Sequence, residues 1–158
     1  MTEQAGQQAE SHRIVVGIDG SEPSKAALAW AVGQAKRTGA SVEAVIAWHF
    51  PVVVGGMPFA PVSMLENADF GGQAASLLRH VIAETVPSDS AVKISTTVRE
   101  GNAAQILLEV AEGADLLVVG SRGHGGFAEA LLGSVSQHCV HHARCPIVII
   151  RGQGEPTA

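Results

Sequence analysis

Asp115-Leu116-Leu117-Val118-Val119-Gly120-Ser121-Arg122-Gly123, then nine residues, then Gly133-Ser134-Val135-Ser136 is the stretch whose reading decides the fold. Its apolar run has the character of a strand buried on both faces. The strand ends in glycine, opens into a glycine-rich loop and re-enters helix at Gly133-Ser134. A backbone on that path presents free N–H groups, and the partial positive charge of a helix start, with the Ser134 and Ser136 hydroxyls beside it, attracts an anion. Glycines at 120 and 133 leave room for phosphates that a side chain would fill. The loop is not a Walker A motif, because no lysine follows its glycines, and its spacing does not fit the dinucleotide fingerprint.

Outward from this stretch the chain alternates. Arg13 to Asp19 reads as a strand, and Glu22 to Thr38 as a helix with Ala27, Leu28, Ala31, Val32 and Ala35 on one face, Ser21 as its cap and Gly39 as its stop. Ser41 to Trp48 is a second strand, Gly72 to Val86 a second helix, and Val92 to Val98 a third strand. Ala103 to Glu112 is a third helix and Ala114 to Val119 a fourth strand. Ser134 to about His142 forms a last helix before the strand Pro146 to Ile150. Regular alternation of this kind specifies an open α/β fold, a doubly wound parallel sheet with helices on both faces.

A length of 158 residues with 46% hydrophobic content suits one domain, here 13–151, between loose polar tails at 1–12 and 152–158. A net charge of -5 gives no general attraction to nucleic acid or anionic membrane. No apolar run reaches the length of a spanning helix, and Met1 to His12 lacks the pattern of a secretory signal, so the expected location is cytoplasmic. Two cysteines, Cys139 and Cys145, are too few for a disulfide scaffold. The connection His49 to Gly71 breaks the short-loop rule and is rich in Val, Met and Phe. It reads either as a lid or subunit contact, or as a flap packed on its own domain.

Ligands of open α/β sheets bind outside the carboxyl ends of the strands, where strand order reverses. Gly17-Ile18-Asp19-Gly20-Ser21 and Gly120 to Gly126 are two strand ends suited to that place. A carboxylate beside a phosphate would be repelled, so Asp19 is expected to bond a ribose hydroxyl or an adenine amine. A ligand with a sugar or base at one end and an anion at the other is a nucleotide.

At this point the chain resembles the universal stress proteins of the ATP-binding branch. The family's signature is a Gly, two residues, a Gly, nine residues, then Gly with Ser or Thr, and Gly120, Gly123, Gly133 and Ser134 match it. Asp19 and Gly17 match residues at the family's first strand end, and Ser134 through Val148 resembles its ending. The resemblance implies five parallel strands in order 3-2-1-4-5, with ATP between strands one and four. It places adenine near Ala47 or Trp48, and with Gly17 and Asp19 the expected nucleotide-binding residues are Gly120, Ser121, Arg122, Gly123, Gly133, Ser134, Val135 and Ser136. It also implies a homodimer through the last strand, Ile147 to Ile150, and a role in stress survival.

Arg122 is either a phosphate contact or a solvated loop arginine, while His124 reads as an ordinary loop histidine and Gly125 and Gly126 as backbone freedom near the phosphates. His138, Cys139, His141, His142 and Cys145 invite a metal reading, but no matched ligand pair exists elsewhere, so no metal site is assigned. Trp30 and Trp48 are packing residues, with adenine stacking the alternative for Trp48. No general base stands beside the loop, so a module holding ATP with Mg²⁺ is favoured over turnover. A slow ATPase or adenylyl transferase on a related fold is the alternative. A flavin carrier would need its phosphate loop after the first strand.

Overall fold

The computed structural model describes residues 11–50, 68–123 and 132–152. In chain order these form β1 (Arg13–Gly17), α1 (Glu22–Thr38), β2 (Ser41–Trp48), α2 (Phe70–Thr85), β3 (Ile94–Glu100), α3 (Ala103–Val110), β4 (Leu116–Gly120), α4 (Ser134–His142) and β5 (Ile147–Ile150). Every strand pair is parallel and the sheet order is β3-β2-β1-β4-β5, as the resemblance implied. The chain winds outward from β1 through β2 to β3, then crosses back to place β4 on the other side of β1. The gap between β1 and β4 is therefore the point where strand order reverses.

Period-two alternation along each strand sorts the core into two layers. Ile14, Val16, Val42, Ala44, Ile46 and Val118 face α1 and α2, where Leu28, Ala31, Leu78 and Val81 cover them. Val15, Val45, Leu117 and Val119 face the other way, onto Ile106, Leu107 and Cys139 of α3 and α4. The apolar runs are continuous because both faces are covered.

Helix α1 starts at Ser21, whose hydroxyl accepts from the Ser24 N–H, and stops at Gly39, which takes φ 75°. Some boundaries differ from the sequence expectation. β1 ends at Gly17 rather than Asp19, because Asp19 turns into the entry of α1. α2 begins at Phe70, because Asp69 caps it through the Gly72 N–H. β3 is shifted two residues onward: a turn closed by Ser90 N–H to Pro87 C=O occupies the residues before it. α3 is shorter than expected, with its C-cap at Ala111 and Gly113 in the left-handed region at φ 76°.

Arg13 ties the amino-terminal side of the sheet together. Its guanidinium donates to Glu43 on β2 at 2.6 Å and to the C=O groups of Val110 and Glu112 at 2.9 and 3.0 Å, placing a cation where α3 ends. Glu43 is satisfied in turn by the Thr97 hydroxyl on β3.

The close approach of β4 to the start of α1 gives Gly120 a structural role that differs from the expected one. A Cβ there would come 2.8 Å from Pro23 Cβ and 2.9 Å from Pro23 C, so helix packing by itself demands the glycine. Gly120→Val is expected to destabilise the ligand-free protein by about 1–3 kcal/mol, seen as a fall in melting temperature. An unchanged melting temperature would contradict this packing. Cys139 is fully buried, and burial pushes its thiol up to about 11. It should therefore resist iodoacetamide at pH 8 in the folded protein and react only in denaturant, as peptide mapping would show.

Candidate functional site

A cavity of about 680 Å³ opens at the carboxyl ends of the central strands. Gly17, Asp19, Ala47, Gly120, Arg122, Gly123, Gly133, Ser134, Val135 and Ser136 all line it, so residues far apart in sequence are brought to one place. Its floor is apolar: a Cβ at Gly17 would meet Leu107 Cδ1 at 2.9 Å, so the glycine lets α3 close in beneath the opening.

One end is the start of α4. The Gly133 N–H and the Ser136 hydroxyl both donate to the Ser121 carbonyl, at 2.6 and 3.0 Å, and the helix ladder begins with Gln137 N–H to Gly133 C=O. The N-cap is glycine and no side chain caps the helix. Among the described residues the Ser134, Val135 and Ser136 N–H groups therefore have no acceptor, which leaves a cluster of donors at the positive end of a helix. The other described helices are closed: Ser21 caps α1, Asp69 caps α2 and Asn102 caps α3. The Ser136 hydroxyl, expected to attract an anion, is instead buried and committed to the loop.

Asp19 stands in the middle, just past β1. Its Oδ1 accepts from both the N–H and the hydroxyl of Ser21, and its own N–H donates to Ser24 Oγ. Its Oδ2 lies against Gly123, where a Cβ could not fit.

At the far end β2 runs past β1. Val42 N–H donates to Lys93 C=O and Gly101 N–H to Trp48 C=O, so even-numbered β2 residues from 42 turn their backbone to β3. Ser41 N–H donates to His12 C=O and Ile18 N–H to Val45 C=O, so the odd-numbered ones turn to β1. Ala47 belongs to the second set, but β1 has already ended opposite Val45. Its N–H and C=O thus face the cavity without a strand partner among the described residues.

Of the residues expected at the site, Ser121 and Trp48 are not in the lining. Ser121 is buried beneath the loop, and its carbonyl is what holds the loop to α4. The Trp48 ring packs on Phe50 at 5.9 Å and across Gly71, where an added Cβ would meet the indole at 3.2 Å. His124, Gly125, Gly126 and most of the connection from His49 to Gly71 lie outside the described residues. In the histidine-rich segment, the His138 and His142 rings are 4.4 Å apart on the exposed side of α4, while Cys139 points into the core. Those donors do not converge.

Sequence reasoning missed the third strand end. His49, Gly101, Asn102 and Ala103 also line the cavity. A signal was present, since Gly101-Asn102 repeats the glycine-then-cap pattern of Gly20-Ser21.

The description "Universal stress protein family" matches residues 10–151 of the chain. A universal stress protein of Mycolicibacterium smegmatis is 32% identical over 154 residues, covering 94% of this chain and 51% of that protein. Universal stress protein Rv2005c of Mycobacterium tuberculosis is 36% identical over 140 residues, covering 87% of this chain and 45% of its own length. The chain thus spans about half the length of the curated relatives it matches. Among solved structures, universal stress protein UspA from Lactobacillus plantarum superposes with a TM-score of 0.69 at 26% identity, covering 89% of this chain and 97% of that one. A universal stress protein solved in complex with cAMP gives a TM-score of 0.57 at 26% identity, over 90% and 98% of the two chains. The chain belongs to the universal stress protein family.

Proposed function

We propose that this protein is an adenine-nucleotide-binding module that holds ATP, with Mg²⁺, and reports a stress state through its contacts rather than through fast turnover. The observation that carries the reading is the uncapped start of α4, whose Ser134, Val135 and Ser136 amides open onto the cavity while the other described helix starts are closed. A phosphate group supplies the acceptors that no side chain supplies. The relative solved with cAMP supports a nucleotide of this class.

The three parts of the site match the three parts of the ligand. Phosphates sit on the α4 amides beside Gly123, with Arg122 at the mouth. In this reading ribose lies by Asp19, which stands at the end of β1 between β2 and β4 in the sheet. Adenine meets Ala47, whose outward N–H and C=O suit the ring nitrogen and exocyclic amine of its edge. Trp48 sends its C=O to Gly101 instead, so Ala47 rather than Trp48 reads the base. Binding is favoured over catalysis because Asp19 is the only carboxylate among the described lining residues, and Ser21 already engages one of its oxygens.

The same reading pairs two copies through β5, which lies at the edge of the sheet. Leu117 N–H donates to Pro146 C=O and Ser121 N–H to Ile150 C=O, so residues 146, 148 and 150 turn toward β4 while Ile147 and Ile149 offer their backbone to the open side. An apolar edge of this kind is suited to a partner strand. We place the module in the cytoplasm, where ATP is abundant.

ATP at about 100 times its dissociation constant should stabilise the protein by roughly 2.7 kcal/mol, a melting shift of about 5–10 °C. Gly133→Asp gives α4 its missing cap and puts a negative charge where the phosphates lie. It should leave the ligand-free melting temperature unchanged or raised and abolish the ATP shift; a retained shift would refute the anion site. In sedimentation velocity the wild type should run as a dimer and Ile149→Pro, which removes an outward N–H without touching the β4 ladder, as a monomer. A monomeric wild type would refute the pairing.

A further inference from the structure

We propose that Ser21 is the positioning residue that decides which oxygen of Asp19 meets the ribose, and thereby sets the preference for ribonucleotides over deoxynucleotides. This rests on the nucleotide reading above and goes further into the same site.

A carboxylate has two equivalent oxygens and a side-chain torsion that rotates freely when nothing holds it. At Asp19 the equivalence is broken. Ser21 donates twice to the same oxygen, from its N–H at 2.9 Å and from its hydroxyl at 2.5 Å. The second contact is short for an O–H···O bond and has the length of a charge-assisted one. Both donors come from one residue, so Oδ1 is fixed and Oδ2 is left against Gly123, both residues lining the cavity. Among the described residues Oδ2 accepts no hydrogen bond.

Two further contacts hold the donor itself. The Ser21 carbonyl accepts from Ser24 Oγ at 2.9 Å, and the Ser21 hydroxyl oxygen receives the Ser24 N–H at 3.4 Å as the cap of α1. Ser21 is buried, and Ser24, also buried, lines the cavity wall. The first turn of α1 therefore forms a rigid bracket whose output is the orientation of one carboxylate. A carboxylate oxygen held still, with no donor among the described residues, is an acceptor for a hydroxyl, and the ribose is the part of a nucleotide that carries such hydroxyls. A ligand lacking the hydroxyl would leave that oxygen unsatisfied beside the phosphates, and a site built for a hydroxyl penalises its loss.

Isothermal titration calorimetry with ATP, 2′-deoxyATP and 3′-deoxyATP on wild type, Ser21→Gly and Ser21→Thr tests this. Glycine caps a helix nearly as well as serine, and threonine keeps both the cap and the hydroxyl. Wild type should bind ATP about tenfold or more tightly than at least one deoxy analogue, the worth of a hydrogen bond to a charged acceptor. Ser21→Gly removes the hydroxyl donor and keeps the N–H, so it should cut that ratio by about threefold or more, and Ser21→Thr should preserve it. The ratio, not the affinity, is decisive, because a purely structural role for Ser21 would weaken all three nucleotides alike. A ratio that survives in Ser21→Gly overturns the proposal. So does a wild type that binds ATP without distinguishing either analogue, a result that leaves the nucleotide reading intact. A wild type that binds none of the three overturns both.

Discussion

The Ser121 carbonyl is the anchor on which the site depends. It accepts from the Gly133 N–H and the Ser136 hydroxyl, while the Ser121 N–H continues the ladder to Ile150. One peptide segment thus ends β4, extends its pairing to β5 and fixes where the chain returns to start α4. The return is made by one backbone bond and one side-chain hydroxyl, both to the same carbonyl. The consequence is electrostatic: the uncapped start of α4 is held at the edge of the cavity that Ser134, Val135 and Ser136 line.

That arrangement carries a local cost. Buried or half-buried donors without acceptors are unfavourable, and each of the other described helices avoids the cost with a side-chain cap. α4 has glycine at its cap position and no side-chain cap, so its start lacks the stabilisation the other described helices have. Stability comes from elsewhere: two apolar layers on either face of the sheet, the Pro23 contact that packs β4 against α1, and the Arg13–Glu43–Thr97 group on the opposite side. The two ends of the sheet thus differ, one tied together by the Arg13–Glu43–Thr97 group and the other opening into a cavity.

Much of this was legible in the residues. The strand and helix order followed from apolar runs and caps, and the glycine spacing marked the loop after β4. The sheet order came from the family resemblance rather than from periodicity, because no local pattern says which strands are neighbours. What the sequence concealed has a common cause. Gly120 looked like a phosphate glycine, but its constraint is contact with Pro23, nearly a hundred residues away in the chain. Ser136 looked like an anion donor, but its hydroxyl turns inward to Ser121. Ala47 and Trp48 were indistinguishable until the register of β2 showed which backbone faces the opening. In each case the direction of a group, not its type, decides its role, and direction is set by tertiary packing.

The central claim, that the first-turn amides of α4 receive the charged end of an adenine nucleotide, is tested most directly by ¹⁵N NMR of the protein titrated with ATP. The account predicts that the Ser134, Val135 and Ser136 amide resonances move downfield on binding, while the first-turn amides of α2, capped by Asp69 away from the cavity, stay in place. Saturable ATP binding with the three α4 amides unmoved would contradict it.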